Sequence, residues 1–132
     1  MTEIEKMFEN AGAAKIGIKK CTTSEYLDCQ NYCFISENNK CDKFSYQYPP
    51  FTAEKQIAIL IALANYNLYE EDKRLMIDSF NGEIYIGFYQ DITLVANATD
   101  KEFSKCVAKL INNLWQDLTD QEKEEIRRIL NE

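Results

Sequence analysis

The chain has 132 residues with 22 acidic and 15 basic side chains, no histidine and a formal charge of −7. That length suits one domain with a real apolar core, and the charge disfavours general binding to nucleic-acid phosphates. Without histidine there is no Ser-His or Cys-His nucleophilic pair and no ordinary acid–base group for neutral pH.

An apolar fraction of 45%, a charged fraction of 28%, two prolines and four glycines describe a folded chain with little room for a disordered linker. The acidic balance serves solubility, or attraction to a basic partner such as a nucleic-acid-binding protein. The opening MTEIEKMFENAG lacks the basic start and apolar run of a signal peptide, which sets the expectation of a cytoplasmic protein. The longest apolar run, residues 57–64, is eight residues, against the roughly twenty that span a bilayer, so no membrane segment is expected.

Thr2 and Glu5 stand at capping-box spacing, and Ile4, Met7, Phe8 and Ala11 follow at helical intervals before Gly12, which predicts a first helix over residues 3–11. Residues 15–20, KIGIKK, alternate and suit a brief strand. From Cys21 to Tyr48 no period persists and turn residues abound, so this stretch reads as a loop-rich, aromatic, cysteine-rich lobe inserted at about residues 21–48 of a single domain spanning 1–132.

Pro49-Pro50 sets an extended segment, Thr52 is a suitable N-cap, and a helix is predicted over residues 53–69, buried on most sides because IAILIALA offers no polar face. Glu70, Glu71 and Asp72 crowd its C-terminal end and favour a solvated loop. Asn81-Gly82 accepts the positive φ angles of a type I′ hairpin turn. Counting outward pairs Phe80 with Glu83, Ser79 with Ile84, Ile77 with Ile86 and Leu75 with Phe88. One face then collects Leu75, Ile77, Ile84, Ile86 and Phe88, and the other Arg74, Asp78, Glu83, Tyr85 and Tyr89. Residues 92–96 suit a third strand.

Thr99 and Glu102 repeat the capping-box spacing ahead of an apolar stripe, predicting a helix over residues 100–117 that contains Cys106 as a small buried hydrophobe. Thr119 and Glu122 form a third box, and Ile126, Ile129 and Leu130 give a last helix one apolar edge. The expected fold class is therefore α+β: a short antiparallel sheet, made of the Asn81-Gly82 hairpin and a third strand, packed with about four helices.

The chemistry-bearing group is Cys21, Cys29, Cys33 and Cys41, spaced C-x7-C-x3-C-x7-C. Four thiolates satisfy tetrahedral zinc, and the Cys29–Cys33 interval suits a chelating knuckle. Zinc here would be structural, because a full shell leaves no position for an activated water. Two disulfides, an iron–sulfur cluster and inert thiols are the alternatives. For catalysis the residues offer only a carboxylate-metal enzyme, using paired carboxylates or carboxylate-bound magnesium at Asp78 near Glu83 or at the Glu70-Glu71-Asp72 run, and there is no phosphate loop, GxGxxG or GxSxG. Lys15, Lys19, Lys20, Lys40 and Lys43 lie near the aromatic lobe, which leaves open a zinc module that stacks nucleic-acid bases or a nucleotide.

The NAG after the first helix, the cysteine-rich segment, YPPFTAEKQI at residues 48–57 and LINNLWQDLTDQEKEEI at residues 110–126 together resemble a set of small, uncharacterised phage and prophage proteins of Gram-positive bacteria. The motifs are structural, and no catalytic residue transfers with them. The resemblance implies a phage origin, and with it a non-enzymatic protein that binds a host or phage protein, as inhibitors of CRISPR or restriction effectors do.

Overall fold

The computed structural model describes residues 1–20, 32–33, 43–65 and 73–132. In chain order the elements are α1 (Glu3–Ala11), β1 (Ile16–Lys20), β2 (Tyr32–Cys33), β3 (Lys43–Gln47), α2 (Ala53–Asn65), β4 (Lys73–Phe80), β5 (Glu83–Gln90), β6 (Thr93–Asp100), α3 (Phe103–Leu114) and α4 (Asp120–Asn131). The class is α+β, with helices packed on an antiparallel sheet β4-β5-β6. By contacts the chain divides into two units, Ala14–Pro49 and a larger one of Met1–Ala13 with Pro50–Glu132.

In the larger unit each end of α1 is closed. Thr2 Oγ1 accepts from the Glu5 amide at 3.1 Å, and Gly12 takes the left-handed conformation at φ 68° while its amide bonds the Glu9 carbonyl. The last turn of α1 has no basic residue of its own. Arg127 supplies one from α4, its Nε donating to the Ala11 carbonyl at 2.6 Å. Phe8 meets Phe51 edge to face, with ring centroids 6.0 Å apart.

The core is organised by α3, which contacts β5 and β6 as well as α1 and α2. Val107, Leu110, Ile111 and Leu114 are fully buried along it, each contributing about 2 kcal/mol by loss of apolar surface to water. The helix starts later than residue 100. Thr99 stays in β6 opposite Tyr85, so the expected Thr99–Glu102 box does not form, and the Asp100 carboxylate takes the Glu102 amide at 2.9 Å instead. A turn of 3₁₀-helix, Trp115–Asp117, closes the other end.

In α2, Thr52 Oγ1 accepts from the Lys55 amide at 3.3 Å as an N-cap should. Residues 66–69 of the predicted helix lie outside the described residues. Burial on most sides does not hold: Ile59, Leu60 and Leu63 are buried, but Ile57 and Ile61 are 52% and 53% exposed. They stand four residues apart on one face, while α2 packs against α3, α4 and β4.

The hairpin has the expected register along its whole length, from Phe80 opposite Glu83 to Lys73 opposite Gln90, with Asn81 and Gly82 at φ 53° and 77°. The third strand runs to Asp100, past the expected residue 96. Its ladder shifts between Phe88, opposite Ala96, and Tyr89, opposite Leu94, which leaves Val95 as the extra residue of a bulge. That shift explains why the run of apolar residues does not alternate cleanly.

In the smaller unit the strands order β2-β1-β3, all antiparallel. Two stretches expected to be loop are strands instead. Residues 43–47, KFSYQ, alternate and form β3, and residues 32–33 form β2 beside β1. Turn residues on either side mask that short period. Lys20 stands opposite Lys43 and Lys19 opposite Cys33. Residues 21–31 and 34–42 of the expected cysteine-rich lobe lie outside the described residues.

Candidate interaction surface

Alternation separates the two faces of β4-β5-β6, although Ile77 of β4, on the same face as Ile86, is 55% exposed. Ile86, Phe88 and Ala98 are buried beneath α3, and the thiol of Cys106 lies 3.4 Å from both the Ile84 and Ala98 carbonyls, with one hydrogen to donate to either. Burial raises that thiol's pKa, with Asp100 nearby adding to the effect, so Cys106 is an inert core residue.

The other face carries Arg74, Met76, Asp78 and Phe80 on β4, with Glu83, Tyr85, Gly87 and Tyr89 opposite them on β5. Its apolar members stay exposed: Met76 at 51% and Phe80 at 74%. Gly87 is the low point. A Cβ there would lie 2.8 Å from Tyr85 Oη and 2.9 Å from Tyr89 Cε2, so the two rings close over the bare backbone and their hydroxyls meet at 3.4 Å. The bond to Tyr85 is the main reason that the Tyr89 phenol titrates above its usual range.

Two open depressions flank this tyrosine pair. One, of about 390 Å³, has Arg74, Met76, Tyr89, Asp91 and Ile92 around it; the other, of about 340 Å³, has Asp78, Phe80, Glu83, Tyr85 and Thr99. The second combines two carboxylates with two aromatic rings, which suits a partner with a cationic group on an apolar stem. Met76 and Phe80 join Arg74, Asp78, Glu83, Tyr85 and Tyr89, the residues expected on this face. Both follow from the same even-numbered alternation in β4.

Of the other candidate residues, Cys21, Cys29 and Cys41, the side chain of Cys33, and Glu70, Glu71 and Asp72 lie outside the described residues. Among the described residues no three His, Cys, Asp or Glu side chains converge as a metal site, and no helix is long and apolar enough to cross a membrane. Asp78 and Glu83 do share a depression, but Asp78 Oδ1 is engaged by the Ser79 amide at 2.8 Å. Compared with protein families, curated proteins and solved structures, the chain has no significant match.

Proposed function

We infer that this chain is a non-enzymatic interaction protein of phage type that binds and blocks a host or phage protein, as an inhibitor of a bacterial antiviral-defence effector such as a CRISPR or restriction nuclease. One observation supports this above the others. The solvent face of β4-β5-β6 holds Met76 and Phe80 exposed beside a tyrosine pair, rimmed at the hairpin end by Asp78 and Glu83. Aromatic and methionine side chains with a polar rim are the usual composition of a protein-binding patch. With a net charge of −7, the partner surface that fits is a basic one presenting Lys or Arg beside an apolar anchor. Effectors that grip nucleic acid carry such surfaces. The cysteine quartet enters this reading as a structural zinc site that holds a second surface in shape.

The test joins capture to function. The tagged chain should retain one identified effector from host lysate, weaken its hold as salt rises, and restore phage plating on a host that the effector protects. Phe80→Asp should abolish capture and plating while the circular dichroism spectrum is unchanged. Equal capture by Phe80→Asp would remove the sheet face from the reading. A salt-dependent shift of single-stranded DNA or RNA, with no protein captured, would replace the reading with nucleic-acid binding. Elemental analysis giving about one zinc per chain, and a lower melting temperature with chelator, would support the structural metal; metal-free protein of equal stability would remove it.

A further inference from the structure

The two outer edges of β4-β5-β6 are treated differently. In an antiparallel ladder closed by a two-residue turn, Phe80 and Glu83 exchange the first pair of hydrogen bonds, so even-numbered residues of β4 bond inward and odd-numbered residues face out. The same alternation turns Asn97 and Thr99 outward on β6. There α3 blocks the edge: Asn113 Nδ2 donates to the Asn97 carbonyl at 2.9 Å, and Lys109 Nζ to the Thr99 carbonyl at 3.2 Å. On β4 the outward groups of Leu75 and Ile77 have no partner among the described residues, and no described strand lies beyond them. An eight-residue edge with Leu75, Met76 and Ile77 at its centre, its charges confined to Lys73, Arg74 and Asp78 on either side, is open to pairing with another strand there.

Along β4 the residues Arg74-Leu75-Met76-Ile77-Asp78 read as their own complement about Met76. If a second copy runs antiparallel with the two-fold axis at Met76, Leu75 falls opposite Ile77 of the other copy, and the outward groups of both exchange about four backbone hydrogen bonds. Met76 meets its own counterpart at the axis. Arg74 then stands opposite Asp78 of the other copy, twice by symmetry and on the same face as Met76. Asp78 keeps one carboxylate oxygen beyond that bonded to Ser79, and a guanidinium has five donors, enough for a partner in its own chain and one across the axis. Other registers are worse. An axis at Ile77 sets Asp78 against Met76 and Arg74 against Phe80, and an axis at Asp78 sets the two carboxylates face to face.

We propose that the outer edge of β4 pairs with β4 of a second copy of this chain, in the register centred on Met76, to make a two-fold symmetric dimer with one continuous six-stranded sheet. The dimer presents the Tyr85–Tyr89 face twice on one surface. It does not depend on the inhibitor reading, because it concerns the isolated chain.

Light scattering of the full chain in reductant, which removes intermolecular disulfides, should give twice the 15.4 kDa chain mass. Arg74→Asp and Asp78→Arg each put like charges across the axis and should raise the dissociation constant roughly tenfold or more. The double variant Arg74→Asp/Asp78→Arg restores opposite charges and should recover the dimer. Because a single variant could weaken the fold, each is checked by circular dichroism, and Met76→Lys, at a half-exposed position, serves as a second disrupting change. A single-chain mass at the highest soluble concentration overturns the proposal. So does a dimer indifferent to all three single variants, or a double variant no better than the singles.

Discussion

Lys73, the first residue of β4, donates from Nζ to Glu122 Oε2 at 3.1 Å, with 8% and 4% of the two side chains exposed. The other oxygen of the same carboxylate accepts the Thr119 amide at 2.9 Å, while the Glu122 amide returns a bond to Thr119 Oγ1 at 3.2 Å. One carboxylate therefore closes the capping box of α4 and ties that helix to the start of the sheet. Glu122→Gln keeps a cap acceptor but leaves the Lys73 cation in a dry site, and should lower unfolding stability by about 3 kcal/mol in urea titrations. The double variant Lys73→Met/Glu122→Gln removes the stranded charge and should recover about 1 kcal/mol or more of that loss.

Asp100 supplies a second dependence on charge. The Glu102 amide, and then the Lys109 ammonium at 2.8 Å, hold its carboxyl below the ordinary carboxylate range. A folded pKa below the unfolded one stabilises the fold above the unfolded value and stops doing so as pH falls through the folded value. Wild type should therefore be more stable than Asp100→Asn at neutral pH, and the gap should close as pH drops below about 4. Thermal melts of both proteins across the acid range read this directly. A constant gap would mean that shape, not charge, sets the difference.

At Gly87 the expected effect is on the surface more than on the fold. Gly87→Ala must push the Tyr85 and Tyr89 rings aside, at a cost of about 1 kcal/mol because both are ends of flexible side chains. Once the two hydroxyls are forced apart, the raised Tyr89 pKa should fall back toward that of an ordinary phenol. An ultraviolet titration of tyrosine ionisation would show the change.

Cys106, fully buried beneath the sheet, should resist alkylation at neutral pH until the protein unfolds, since burial keeps its thiol protonated. Cys106→Ala leaves a small cavity and should destabilise by about 1–2 kcal/mol. Peptide mapping after native and denaturing alkylation separates this thiol from the other four.

Local chemistry determined much of the fold in advance. Gly12, Asn81-Gly82 and the Thr119–Glu122 box depend on backbone angles or on partners within four residues, so helix ends and the hairpin register could be read directly. The same alternation showed which face of β5 is apolar. Where two local signals competed, packing decided. Thr99 offered a cap but was held in β6, because a strand paired along its length outweighs one side-chain bond. Ile57 and Ile61 were apolar but not buried, because burial depends on which neighbours arrive and not on the helix itself.

The candidate surface was legible in part. Its residues follow from a two-residue period, but that Met76 and Phe80 stay exposed, that Tyr85 and Tyr89 close over Gly87, and that α3 seals β6 while no described strand pairs with the outer edge of β4 are products of chain segments far apart in sequence. Lys73 and Glu122, forty-nine residues apart, show the same division. Sequence alone marked Glu122 as a cap, because its partner is three residues away; only the tertiary structure could make it the counter-ion of a buried lysine, because no local pattern records what another strand brings alongside.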